Sequence, residues 1–302
     1  MSEFKLEGRT YNNHQEYIET GARCGTPHAG YYQIRRNDEA IRAFRGASRR
    51  NARYRRASGT ITINVQFIHI HDGNEGKVTA AQRADQIKVL NDDYRPHQIQ
   101  FTYDELATKE VDNPIWFRMD HRSEAERQAK TALQVAPETN LNFYTAGFPA
   151  NSGLLGWATF PDELAGDRVR DGVVLRHGTL PGGSTAPFNL GQTGTHEVGH
   201  WAGLFHTFQG GCDGIGDHIG DTVAHAGPNF GKPAIGEAHN ACNQNEDAPV
   251  QNFMNYTDDD WMILFTDAQG GRMREQIAMF RPDLLTGNTD EVGQCTRVLL
   301  TS

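Results

Sequence analysis

Residues 196–206 read His196-Glu197-Val198-Gly199-His200-Trp201-Ala202-Gly203-Leu204-Phe205-His206. On a helix, positions i and i+4 share a face, so His196 and His200 point their imidazoles at one spot. Glu197 sits between them, where its carboxylate reaches a water at that spot. Gly203 tolerates φ > 0, so the chain can turn sharply there and bring His206 back as a third donor. Three neutral imidazoles leave a zinc ion one open position, as a catalytic rather than a structural site requires. A helix with incidental histidines is the competing reading. Two histidines and a glutamate alone leave it open, whereas the full eleven-residue pattern is far more restrictive.

A second segment, Gln251-Asn252-Phe253-Met254-Asn255-Tyr256, puts its methionine 48 residues beyond His206. Taken alone, Met-x-Tyr is ordinary core. Behind a three-histidine pattern it becomes a candidate Met-turn, with Met254 as an apolar floor and the Tyr256 phenol near the metal and a developing oxyanion.

Upstream, Ile61–Ile70 alternates like a half-buried strand that ends at the turn Asp72-Gly73. A helix is expected over 79–94, with Thr79 as N-cap and Ala84, Ile87, Val89, Leu90 and Tyr94 on its apolar face. Ile99–Tyr103, Leu141–Tyr144 and Gly172–Leu175 read as further strands, and 123–136 as a second helix. Strands and helices therefore alternate to about residue 190, the pattern of an α/β layer. From Phe208 to Met254, Gly, Asp, Asn and Pro dominate and periodicity vanishes; a loop region of that length needs metals, disulfides or a functional task. A last helix is expected over 267–280.

The chain has 302 residues, 37% of them hydrophobic, enough for a core of ordinary size. No apolar run approaches the roughly 18–20 residues of a membrane span. The start, Met1-Ser2-Glu3-Phe4, carries no secretory apolar region, which leaves a cytoplasmic protein or a leader outside this sequence. The net charge of −9 hides a split: residues 1–56 hold twelve Lys and Arg against six Asp and Glu, or +6, and the remainder seventeen against thirty-two, or −15. A basic arm on an acidic body suits nucleic-acid binding, docking on that body, or plain solvation. The arm lacks the aromatic and motif context of nucleic-acid modules, so no nucleic-acid partner is expected. Its densest stretch, Arg49–Arg56, reads as an exposed linker open to proteolysis. Four cysteines, Cys24, Cys212, Cys242 and Cys295, include no CxxC and allow three pairings or free thiols. His69 and His71 share a strand face, but no third ligand is evident and a structural role is favoured.

With these segments the chain resembles the pappalysin family of metzincin metalloproteases, its ulilysin-like and fungal extracellular members in particular. The likeness spans nearly the whole chain. It includes the strand entering at Ile61, Ile87-Lys88-Val89-Leu90-Asn91, Gly191 to His206, Gly216-Asp217 with Asp221-Thr222, and Asn252 to Tyr256. The resemblance implies an α+β fold with a twisted mixed sheet, an active-site helix above it, and a loop-rich lower subdomain ending in a helix. Residues 1–57 would be a basic pro-segment and 58–302 the catalytic domain, divided at about residue 203 into upper and lower subdomains. The implied activity is that of an extracellular, monomeric zinc endopeptidase made as a zymogen, acting on proteins or peptides. Its metal would be held by His196, His200 and His206, with Glu197 as general base.

The same resemblance gives further residues an expected role. Arg23-Cys24-Gly25-Thr26-Pro27 resembles the family's pro-segment motif, in which the Cys24 thiolate blocks the metal; an ordinary thiol or a disulfide partner is the alternative. Residues 212–222, with Asp213, Asp217, Asp221 and Thr222, resemble the family's calcium-binding, disulfide-closed loop, against a merely solvated turn. Cys212–Cys242 is the implied bridge. Trp261 stands where relatives carry a further cysteine, so their second bridge is not expected, and Cys295 is left over or pairs with Cys24. Asp258-Asp259-Asp260 is a solvated turn or the wall of an S1′ pocket that selects Arg or Lys. Two competing functions remain at this level: a catalytically silent binding protein on the same scaffold, and a broad-specificity degradative protease.

Overall fold

The computed structural model describes residues 4–6, 9–11, 23–47, 59–149 and 152–285. The Arg49–Arg56 stretch and Cys295 lie outside the described residues. A short antiparallel pair, β1 (Phe4–Leu6) and β2 (Arg9–Tyr11), comes first. There follow β3 (Arg23–Cys24), α1 (Tyr31–Ala47), β4 (Ile61–His71), α2 (Ala80–Tyr94), β5 (Ile99–Tyr103) and β6 (Lys109–Asp112). Next come α3 (Pro114–Phe117), α4 (Glu124–Leu133), β7 (Asn140–Ala146), β8 (Leu154–Ala158), β9 (Val173–Arg176) and α5 (Gln192–Trp201). After α5 only β10 (Phe230–Gly231), β11 (Tyr256–Thr257) and α6 (Asp267–Phe280) are regular strands or α-helices among the described residues.

The seven-stranded sheet runs β3-β8-β9-β7-β4-β5, with β6 also paired to β4. β4, β5, β6, β7 and β9 are mutually parallel, while β8 runs antiparallel to β9. The sheet is therefore mixed, and β8 carries β3 on its outer edge. The Ile61–Ile70 alternation becomes β4, whose residues Ile61, Ile63, Val65 and Phe67 are all buried. They pack with Ile87, Leu90 and Tyr94 of α2, Val198 and Trp201 of α5, and Met273 and Ile277 of α6 in one core. The opposite face, through Ile68 and Ile70, packs on Phe117, Met119 and Ala129. At about 25 cal/mol per Å² of apolar area, these two cores supply the main driving force for the fold.

Thr79 caps α2 in a reciprocal capping box with Gln82, as its sequence suggests. α4 covers Glu124–Leu133, shorter than the expected 123–136, because Gln134 takes an extended conformation. Among the elements that escape the sequence reading, two bear on the site. α1 lies inside the basic arm, where Asn37, Ile41 and Phe44 are its buried residues. β8, Leu154-Leu155-Gly156-Trp157-Ala158, is too short and too rich in small residues to alternate.

α1 is docked on the body. Phe44 joins the main core, Arg45 makes two hydrogen bonds to Glu275 of α6 at 2.8 and 2.9 Å, and Asp38 meets His218 at 2.7 Å. Of the arm's expected fates, docking is the one these described residues display. None of the described helices is long and apolar enough to cross a membrane.

Candidate active site

α5 packs against β8 and β9 with residues 193–201 all buried. Its position is fixed from outside: the Tyr94 hydroxyl donates to the Thr195 carbonyl at 2.8 Å and Gln86 to that of Gly191 at 3.1 Å. The helix ends where expected. Gly203 has φ = 101°, and the Leu204 amide donates to the Gly199 carbonyl at 2.9 Å. A side chain at Gly203 would also meet Gln276, its Cβ standing 2.5 Å from that residue's Cγ.

This turn brings the three imidazoles together. His196 Nδ1–H donates to the Phe253 carbonyl and His200 Nδ1–H to that of Leu204, each at 2.7 Å. Both rings are thereby fixed in the tautomer that leaves Nε2 a bare acceptor. His196 Nε2 is buried and has no hydrogen-bond partner, while the Nε2 atoms of His200 and His206 stand 3.1 Å apart. Burial pushes the pKa of all three histidines down, that of His200 to about 3, so they are neutral. Cys24 Sγ completes the group: one ligand atom from each of the four residues lies within 4.8 Å of every other. Three neutral nitrogens and one sulfur, buried and convergent, fit a tetrahedral zinc ion.

Glu197 is 1% exposed and, chiefly through burial, its pKa rises to about 8. Its Oε2 faces two groups of the N-terminal segment, Cys24 Sγ at 3.5 Å and the Thr26 hydroxyl at 3.2 Å. Thr26 in turn accepts the Ala158 amide at 2.8 Å, and the Gly25 amide donates to the Gly156 carbonyl at 2.8 Å. The segment thus lies along β8 and covers the carboxylate. Neither Thr26 nor Gly156 stands out in the sequence, although Thr26 lies within the Arg23–Pro27 motif.

Met254 is fully buried beneath α5, where a Cβ on Gly199 would come within 2.5 Å of its sulfur. The turn is held by Asn252, which exchanges two hydrogen bonds with Gln269 of α6 and accepts the Met254 amide. The Tyr256 hydroxyl lies 3.2 Å from His206 Nε2. Phe208 stacks on His206 with centroids 4.8 Å apart, a contact the sequence does not suggest.

The three consecutive aspartates diverge. Asp260 is exposed and pairs with Lys232. Asp259 is buried, accepts the Leu190 amide at 2.9 Å, and leaves Oδ1 without a partner. Its pKa is raised to about 6 by burial, against the lowering pull of the Arg23 charge. The Arg23 guanidinium is itself buried and donates to the Tyr256 carbonyl.

Cys212 and Cys242 form a disulfide, and Cys24 is a free thiol. In the loop closed by that disulfide, Asp217 is buried, takes hydrogen bonds from the Thr222 hydroxyl and the Ile219 amide, and keeps Oδ2 unpartnered. Asp221 instead caps α6, accepting from the Thr266 hydroxyl and the Ala268 amide, and Asp213 is exposed. These carboxylates do not gather into a cluster among the described residues. His69 bonds Thr145 and His71 the Gly73 carbonyl, as structural histidines do.

Residues 140–278 match the family model described as pregnancy-associated plasma protein-A. An extracellular metalloprotease of Pyricularia oryzae is 37% identical over 272 residues, covering 87% of this chain and 91% of its own. One from Verticillium alfalfae is 40% identical, covering 74% and 78%. Among solved structures, a promirolysin mutant of Tannerella forsythia superposes with a TM-score of 0.73 at 25% identity, covering 87% of this chain and 96% of its own. Mature mirolysin in complex with a cleaved peptide superposes with 0.65 at 25% identity, covering 75% and 98%.

Proposed function

This chain belongs to the pappalysin family of metzincin metalloproteases and is a metalloendopeptidase; we propose that it is a zinc enzyme made as a zymogen, with Glu197 as its general base. The observation that carries the reading is the convergence of three neutral imidazoles beside a buried carboxylate on the same helix. His196, His200 and His206 would hold the ion. Bound there, zinc supplies Lewis acidity, acidifying water and polarising the scissile carbonyl.

The chain's own groups do the rest. Glu197 takes a proton from the attacking water and returns it to the leaving amine. The Tyr256 phenol, 3.2 Å from His206 Nε2, is placed to donate to the oxyanion that develops on the substrate. Asp259 is the acid of the pocket next to the scissile bond and favours Arg or Lys there.

Residues 1–57 act as the pro-segment. Their contact with Glu197 supports this reading, and so does the greater share of this chain matched by promirolysin than by the mature form. Calcium in the 212–222 loop is proposed on Asp217, whose Oδ2 is buried without a partner. The relatives' names support an extracellular location.

Cleavage of casein and of a peptide library tests the reading. Glu197→Ala should abolish cleavage while the zinc content stays at one per chain. Persisting cleavage would overturn the role of Glu197, and a wild type that holds zinc yet stays inactive after removal of residues 1–57 would favour a silent binding protein.

A further inference from the structure

Cys24 is one of two consecutive residues with a target in the cleft. Arg23, beside it, is 3% exposed, and its guanidinium lies among Phe188, Tyr256 and Met262. It donates to the Tyr256 carbonyl and lies 4.4 Å from the centroid of the Phe188 ring and 5.5 Å from that of Tyr256. One terminal nitrogen is 3.7 Å from Met262 Sδ. Two aromatic faces and a carbonyl form a seat for a planar cation. Asp259, buried and with one unpartnered oxygen, is near enough to feel the Arg23 charge and supplies the opposite one.

The backbone shows what this costs. Arg23 has φ = 104°, in the region that L-residues other than glycine seldom adopt. Its amide nevertheless pairs with the Gly153 carbonyl at 3.2 Å, and the Gly25 amide with that of Gly156 at 2.8 Å. A strained residue persists only where its surroundings over-determine it. Here the surroundings are the β8 edge on one side and the guanidinium seat on the other.

We infer that Arg23 is the resident of the specificity pocket, so that the N-terminal segment holds the enzyme latent by a substrate-like basic side chain as well as by the Cys24 thiol. The inference rests on the proposed reading of residues 1–57 as a pro-segment and of the Asp259 pocket as selective for basic side chains. It adds that latency has two separable anchors, one electrostatic and aromatic, the other at the metal.

Full-length chains carrying Arg23→Gln, Arg23→Lys, Cys24→Ala or Arg23→Gln with Cys24→Ala separate the anchors. The readout is the half-life of the intact chain during self-processing, at fixed concentration and zinc. Glutamine keeps length and loses charge, whereas lysine keeps the cation. Arg23→Gln should shorten the half-life at least fivefold with Cys24 intact, Arg23→Lys should stay within twofold of wild type, and the double variant should process faster than either single one. Arg23→Gln processing at the wild-type rate, or Lys behaving like Gln, would overturn the inference. The underlying reading has its own test: the processed wild-type enzyme should prefer Arg or Lys in a peptide library, and Asp259→Asn should lose that preference. An enzyme without the preference sinks the pocket reading, whereas a normal preference with inert Arg23 variants sinks only the inference about Arg23.

Discussion

Gly156 of β8 lies directly against Glu197 of α5: a Cβ built on Gly156 would stand 2.9 Å from Glu197 Cγ and 3.0 Å from both Oε1 and the Val174 carbonyl oxygen. The strand can pass this close to the helix only because it carries no side chain there. Gly156→Ala should therefore move the carboxylate without touching any histidine. A displacement of about 1 Å at a catalytic group costs on the order of 100-fold in rate. We expect kcat/KM to fall by about that factor while zinc content is unchanged; wild-type activity would show that β8 yields instead.

Metal stoichiometry checks the donor set. Processed protein reconstituted with zinc should hold one ion per chain, and chelation should abolish cleavage. His206→Ala removes the donor that the Gly203 turn brings back. Zinc affinity should drop steeply in that variant, read by competition with a chromogenic chelator. Unchanged affinity would mean that the ion sits elsewhere.

Burial raises the pKa of the Asp217 carboxyl from 3.8 to about 7, so the fold favours its protonated form. Its contribution to stability is whole below pH 4 and is lost as the pH rises through 7. A tenfold change in proton affinity corresponds to about 1.4 kcal/mol, which makes the loss a few kcal/mol. In the presence of a calcium-selective chelator, Asp217→Asn should raise the melting temperature at pH 8 and leave it nearly unchanged at pH 4. Added calcium should stabilise the wild type at pH 8 and do so less for the variant. A variant no more stable than wild type at pH 8 would show that the buried charge is compensated.

Arg281 and Asp171 form a bidentate pair at 2.6 and 3.0 Å with both side chains fully buried, and Arg281 stacks 3.9 Å from the centroid of the Trp201 ring. Removing one partner of such a pair strands the other charge and costs about 3–5 kcal/mol. Arg281→Met should lower the urea midpoint accordingly, with Asp171→Asn close behind. A stability within about 0.5 kcal/mol of wild type would mean that water reaches Asp171.

The metal site was legible because its chemistry is local. Residues 196–206 place two histidines one helical turn apart, and the conformational freedom of Gly203 returns the third, so helix geometry and one glycine turn together predict the cluster. Strands β4 and β5 and helices α2 and α6 were legible for a similar reason: their apolar periodicity reflects which face is buried. β8 was not, since a strand of five residues with a central glycine has no period to display. Likewise α1 is a largely polar helix inside the basic arm, and only docking on α6 through Ile41, Phe44 and Arg45 reveals why it forms where it does.

What the tertiary structure alone decided is which distant residues meet the site. Thr26 reaches Glu197 across 171 residues, and Arg23 reaches the Tyr256 carbonyl across 233. Nothing in the local sequence distinguishes Asp259 from its two neighbours, yet the path of the chain buries Asp259 within range of the Arg23 charge and turns Asp260 out to Lys232. Asp221 carries the residue type of a cation ligand but spends both oxygens on capping α6. Spacing along a helix fixes the side chains one turn apart, whereas long-range contacts depend on the packing of whole elements, and no short stretch of sequence encodes that.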